Sequence, residues 1–167
     1  MQRSIAAAAA CLLAACASAP APKPAAPAAA SLPGPGGHSP RLGNFSMSLA
    51  VKDLPASRAF YERLGFRAIG GDQARGWLIL QNDASTLGLF QGAIQQNTLT
   101  YNPGWNRSAE TLPDFDDVRH IQRTLEGRGI RPTVRADEGS AGPAFLLLTD
   151  PDGNQILVDQ HVPRPGK

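Results

Sequence analysis

Apolar and small polar residues alternate with a period of two through Phe45 Ser46 Met47 Ser48 Leu49 Ala50 Val51, which predicts a half-buried strand. Asp53 Leu54 Pro55 ends it, and the period then lengthens. Ala56, Phe60 and Leu64 stand at i, i+4 and i+8, predicting a helix with these three on its buried face. Gly65 supplies the stop. The apolar runs 66–69, 77–80 and 86–90 are separated by Gly70 Gly71 Asp72 and by Asn82 Asp83, and read as three short strands joined by turns.

The order recurs from residue 112 to residue 160. Asp116 Asp117 predicts a helix start, Val118, Ile121 and Leu125 its buried stripe, and Gly127 or Gly129 its end. Residues 132–135, 144–148 and 155–159 read as the three strands that follow. A unit repeated at about 50 residues cannot bury its apolar face alone, so the copies 45–91 and 112–160 are expected to share one core. Between them, residues 91–107 read as a loop longer than compact domains need, carrying Gln95, Gln96, Asn97, Tyr101 and Trp105.

Leu49 Ala50 Val51 Lys52 Asp53 Leu54, Ser57, Phe60 Tyr61, Leu64 Gly65 Phe66 and Asp150 Pro151 Asp152 Gly153 Asn154, in this order and spacing, resemble the signatures of the vicinal oxygen chelate superfamily. That superfamily includes glyoxalases, fosfomycin and bleomycin resistance proteins and ring-cleaving dioxygenases. The resemblance covers about residues 43–162. It implies an α+β fold in which two βαβββ modules form a curled mixed sheet, a cup with the helices outside and the site inside.

The first 15 residues have Arg3 as their only charge, an alanine-rich apolar stretch from Ile5, and Leu13 Ala14 Ala15 before Cys16. This resembles a bacterial lipoprotein signal peptide, with Cys16 as the lipidated residue and the first of the mature chain. The stretch is shorter than the roughly 20 residues that span a bilayer. An alanine alternative, an untargeted low-complexity terminus, stands beside it. Ala17 after Cys16, by the same resemblance, favours the outer membrane facing the periplasm. Residues 16–40 are Ala, Pro, Ser and Gly with one lysine, too poor in large apolar side chains to fold, and read as a tether. Residues 41–163 form the domain and 164–167 a tail. The net charge of +2 comes from Arg3 and Lys23, the basic residues from Arg41 onward being matched by the 14 acids. No polycationic face for nucleic acid is indicated. Of the 2 cysteines, Cys11 leaves with the signal peptide and Cys16 is acylated, so cysteine chemistry and disulfides are not expected.

In members with metal chemistry, the resemblance implies four ligands, usually His, Glu or Gln, near the start of the first strand and in the last strand of each module. Here those positions fall on Ser46, Gly88, Glu110 and Leu157. Glycine and leucine have no donor atom and a serine hydroxyl is a poor one, whereas a divalent ion needs several convergent N or O donors. No cofactor is therefore expected. Alternation places Ser46 and Ser48, Gly88 and Phe90, Leu157 and Asp159, and Glu110, Leu112 and Asp114 on the cup side. That mixture of apolar surface with a few acids and hydroxyls suits a small organic ligand, though small residues also allow a sheet that fills its own interior. Tyr101 and Trp105 are candidates to close over the cup or to cover a seam in the core.

His38 lies in the tether, His120 beside the second helical stripe, and His161 two residues after Asp159 on the same strand face, where the acid would orient the imidazole. Gly34 Pro35 Gly36 Gly37 follows no strand and precedes no Lys-Ser or Lys-Thr, so it is no phosphate loop. Three functions stay open. One is a lipid-anchored envelope module that binds or sequesters a small organic molecule without metal, with a homodimer possible because superfamily members of that kind dimerise. Another is a glyoxalase- or dioxygenase-type enzyme with a displaced metal on Glu110, Asp114 and Asp159. The last is a structural envelope protein with a packed cup.

Overall fold

A computed structural model describes residues 39–166 of the 167. The signal peptide, Cys16, His38 and all of the tether but Ser39 and Pro40 lie outside the described residues. Seven strands, β1 (Asn44–Val51), β2 (Arg67–Asp72), β3 (Trp77–Asn82), β4 (Ser85–Gln91), β5 (Thr98–Asn102), β6 (Ala144–Thr149) and β7 (Gln155–Gln160), form one sheet with two helices, α1 (Leu54–Arg63) and α2 (Val118–Gly127). The sheet order is β2-β3-β4-β1-β5-β7-β6. β1 runs parallel to β4, and β5 parallel to β7; parallel partners need a crossover connection, which here passes through α1 and α2. β1 and β5 meet antiparallel in the middle, from Asn44 opposite Asn102 to Ser48 opposite Thr98. The two modules thus pair within one chain.

The helices cover the convex face. Leu78, Leu80 and Leu89 pack with Leu54 and Tyr61 of α1, and Leu146, Leu148 and Val158 pack with Val118, Ile121 and Leu125 of α2. Fully buried leucines and valines of this kind contribute about 1.5–3 kcal/mol each. Alternation turns their strand neighbours to the concave face. Each helix is capped by the aspartate that precedes it: Asp53 accepts from the Ala56 amide at 2.9 Å and Asp117 from the Arg119 amide at 3.0 Å. Gly65, at φ +91°, turns the chain out of α1 so that the Phe66 amide reaches back to the Tyr61 carbonyl at 3.0 Å.

Four sequence expectations are corrected. The first strand of the second module is β5, inside the segment expected to be a loop, so the second copy begins near residue 98 and not at 112. Residues 132–135 form a single bridge, Val134 to Leu147, in place of a strand. Gly70 and Gly71 belong to β2, which bulges between Ala68 and Gly70, and the turn falls on the 3₁₀ segment Gln73–Arg75. On α1 the buried face is that of Leu54 and Tyr61, leaving Ala56 exposed with Phe60 and Leu64 52% and 56% accessible. The Asp53 cap sets the first buried position at Leu54, which rotates the expected stripe toward solvent.

Candidate functional site

The concave face encloses a cavity of about 980 Å³. Its middle is a floor of hydroxyls whose hydrogen bonds are already made. Ser48 Oγ and Thr100 Oγ1 bond to each other at 2.8 Å across the β1–β5 seam, and Thr98 Oγ1 donates to Gln155 Oε1 at 2.8 Å. Among the described residues no buried side-chain nitrogen or oxygen lacks a partner.

The cavity is polarised along the strand direction. At one end Asn44 stands opposite Asn102, and Asn102 Nδ2 donates to the Asp159 carbonyl at 3.0 Å. His161 Nε2 lies 3.2 Å from Asp159 Oδ2, and the imidazole stacks on Trp105 with ring centroids 4.2 Å apart and planes at 11°. On the first module the far end is apolar. Ala50 pairs Phe90, Phe90 pairs Trp77, and Ile79 pairs Gly88 and Gly70. Trp77, Ile79, Phe90 and Ile69 all line the cavity there. A Cβ built on Gly88 would stand 2.5 Å from the Phe90 ring, so the missing side chain is what lets that ring lie across the wall.

A strap from β5 closes the polar end. Trp105 bridges to Thr111, and Asn106 organises the turn between them: its Oδ1 accepts from the Ser108 and Glu110 amides at 2.9 and 3.0 Å, and its Nδ2 donates to Glu110 Oε2 at 2.7 Å. Gln81 Nε2 of β3 donates to the Arg107 carbonyl at 2.9 Å, which ties the strap across the cup to the opposite module. Gly104, where a Cβ would meet Val162 at 2.5 Å, lets the strap leave the sheet so closely.

A family model described as the Glyoxalase/Bleomycin resistance protein/Dioxygenase superfamily matches residues 43–158. The chain belongs to this superfamily. A bleomycin resistance protein of Klebsiella pneumoniae is 29% identical over 124 residues, 68% of this chain and 89% of the relative. The structure described as an NAD-dependent benzaldehyde dehydrogenase from Legionella pneumophila shares the fold at TM-score 0.53 and 17% identity, covering 70% of this chain and 98% of that one. A superfamily member from Vibrio splendidus 12B01 matches at TM-score 0.49 and 14% identity, over 70% of this chain and 97% of that one.

The superfamily's usual metal set is not reproduced by the donors present. With β5 as the opening strand of the second module, the counterparts of Ser46 and Ser48 are the cup-facing residues Thr98, Thr100 and Asn102, and not Glu110. The remaining positions hold Gly88, overlain by Phe90, and Leu157. The alternative trio does not converge either. Glu110 is held in the strap by Asn106, and Asp114 is paired with Arg41 at 3.0 Å. Neither lines the cavity, and only Asp159 does. Among the described residues no three His, Cys, Asp or Glu side chains are grouped to hold an ion.

Of the ligand-binding candidates, the structure places Ser46, Ser48, Phe90, Trp105, Leu157 and Asp159 on the cavity wall. Tyr101 faces the other way, against Phe45 at 5.2 Å and the α2 core, because it alternates with Thr100 and Asn102. Leu112 lies outside the cavity with Glu110 and Asp114. Sequence reasoning missed Thr98, Thr100, Asn102, Trp77, Ile79 and Arg107. The first three carried a readable mark: Thr98 Leu99 Thr100 Tyr101 repeats the polar–apolar alternation of Ser46 Met47 Ser48 Leu49.

Proposed function

We propose that the protein binds a small amphipathic organic molecule in the cup, without a metal ion, and acts by holding it rather than by transforming it. The observation that carries this reading is the polarised cavity, with aromatic and aliphatic walls at one end, amides and a carboxylate at the other, and a floor whose hydroxyls are already paired. A floor satisfied in this way presents no activated nucleophile and no converging donors. The kinship to a Klebsiella protein described as a bleomycin resistance protein supports a binding role, since resistance by capture needs only affinity. The sequence before residue 41 supports lipid anchoring at Cys16 on the periplasmic side of the outer membrane, where such a protein would meet incoming compounds.

Both tryptophans of the chain, Trp77 and Trp105, line the cavity, so binding is readable from intrinsic fluorescence. Titration of the full chain with the neutral dye Nile red should quench that fluorescence saturably at one dye per chain, and protein purified without chelator should carry no stoichiometric divalent ion. Tightly bound metal at one ion per chain would replace this reading with the metal-enzyme one. Absence of saturable binding would favour a structural role over a binding one. For the anchor, Cys16→Ser should move the protein from the membrane fraction to the soluble one.

A further inference from the structure

We infer that the polar end of the cup is a subsite for an anionic group, with Arg107 as its principal determinant, so that the preferred ligand is a flat apolar molecule bearing a carboxylate. This rests on the small-molecule reading and narrows it to a chemical class.

Three residues with charged or titratable side chains line the cavity: Arg107, Asp159 and His161. Two of them are committed to each other, His161 Nε2 and Asp159 Oδ2 being 3.2 Å apart, with the imidazole further held by its stack on Trp105. Among the described residues the Arg107 guanidinium has no partner. The nearest acid along the strap, Glu110, is bound by Asn106 Nδ2 at 2.7 Å and lies outside the lining.

The strap also fixes where this charge sits. The Gln81 amide holds the Arg107 carbonyl at 2.9 Å, and the registers carry that position across the sheet. Gln81 is opposite Thr86, and the neighbouring pair Met47 and Leu87 sets Thr86 abreast of Ser46. Arg107 is thereby tethered at the Asn44 and Ser46 end of the cup, away from Trp77 and Phe90. Asn44 and Ser46 add uncommitted polar side chains there. A guanidinium presents paired N–H donors that match the two oxygens of a carboxylate.

Isothermal titration calorimetry of the full chain with 2-naphthoate, 2-naphthamide and 2-naphthylmethylamine separates body from charge, because the three share one flat apolar frame. The carboxylate is expected to bind about five- to tenfold tighter than the neutral amide, an exposed arginine giving less than a buried one. The amine should be weakest. Arg107→Gln should bring the carboxylate down to the level of the amide, Arg107→Lys should retain part of the preference, and added salt should weaken only the carboxylate. Amide or amine binding as tightly as the carboxylate overturns the inference and leaves the small-molecule reading standing. A carboxylate preference that survives Arg107→Gln overturns the assignment to Arg107. If none of the three binds, the underlying small-molecule reading falls with it.

Discussion

Asp150 shows how much one side chain can organise. Its carboxylate accepts from the Asp152 and Asn154 amides at 2.9 and 2.8 Å and from Asn154 Nδ2 at 2.7 Å, shaping the turn that joins β6 to β7. The Asn154 side chain first, then the Asn154 backbone N–H, holds the Asp150 carboxyl below the ordinary value of 3.8. An acid lowered in this way stabilises the fold fully above its unfolded value, and the contribution is lost as pH falls through the folded one. The wild type should therefore exceed Asp150→Asn in Tm by a constant margin above about pH 5, and the margin should close on acidification below about pH 4. A margin that ignores pH would show that turn geometry, and not charge, is what Asp150 supplies.

At the scale of elements the strap is the part most dependent on a single side chain. Asn106→Ala removes the acceptor for two amides and the donor to Glu110; the expected loss is about 1 kcal/mol in chemical denaturation, with faster limited proteolysis at residues 105–111 and none at α2. Unchanged cleavage there would assign the strap's order to the Trp105–His161 stack instead. Elements whose inner face is apolar were legible in the sequence. β1 and α2 with its Asp117 cap stand where alternation and period put them, and so does the Asp150 turn. β5 was not: it alternates as β1 does, but Asn97 and Pro103 Gly104 bracket its five residues with turn formers, so the segment reads as part of a loop. α1 misled for a different reason. Its apolar residues outnumber the places the sheet offers, and only the capped end decides which are covered. Cup residues within β1, β4 and β7 followed from alternation once those strands were placed, whereas Arg107 and Trp77 depend on a cross-module hydrogen bond and a bulged register that no local pattern encodes.

The molecule as a whole has two apolar clusters, one beneath each helix, and a hydroxyl seam between them. That seam is a place where partial removal should hurt more than complete removal. Ser48→Ala strands the buried Thr100 hydroxyl and should cost about 1–3 kcal/mol, while Ser48→Ala with Thr100→Val takes away both polar groups and should recover most of it. Additive losses from the two changes would mean that the hydroxyls contribute separately and do not depend on their bond.

Because β1 zips onto β5 of the same polypeptide, and residues 92–97 are all that connects β4 to β5, the two walls of the cup face each other at a local concentration set by a short loop and not by how much protein is present. Dilution therefore cannot take the cup apart. Its affinity for a ligand should be the same at nanomolar as at micromolar protein, and cutting the chain within 92–97 would turn an indifference to concentration into a sharp dependence on it.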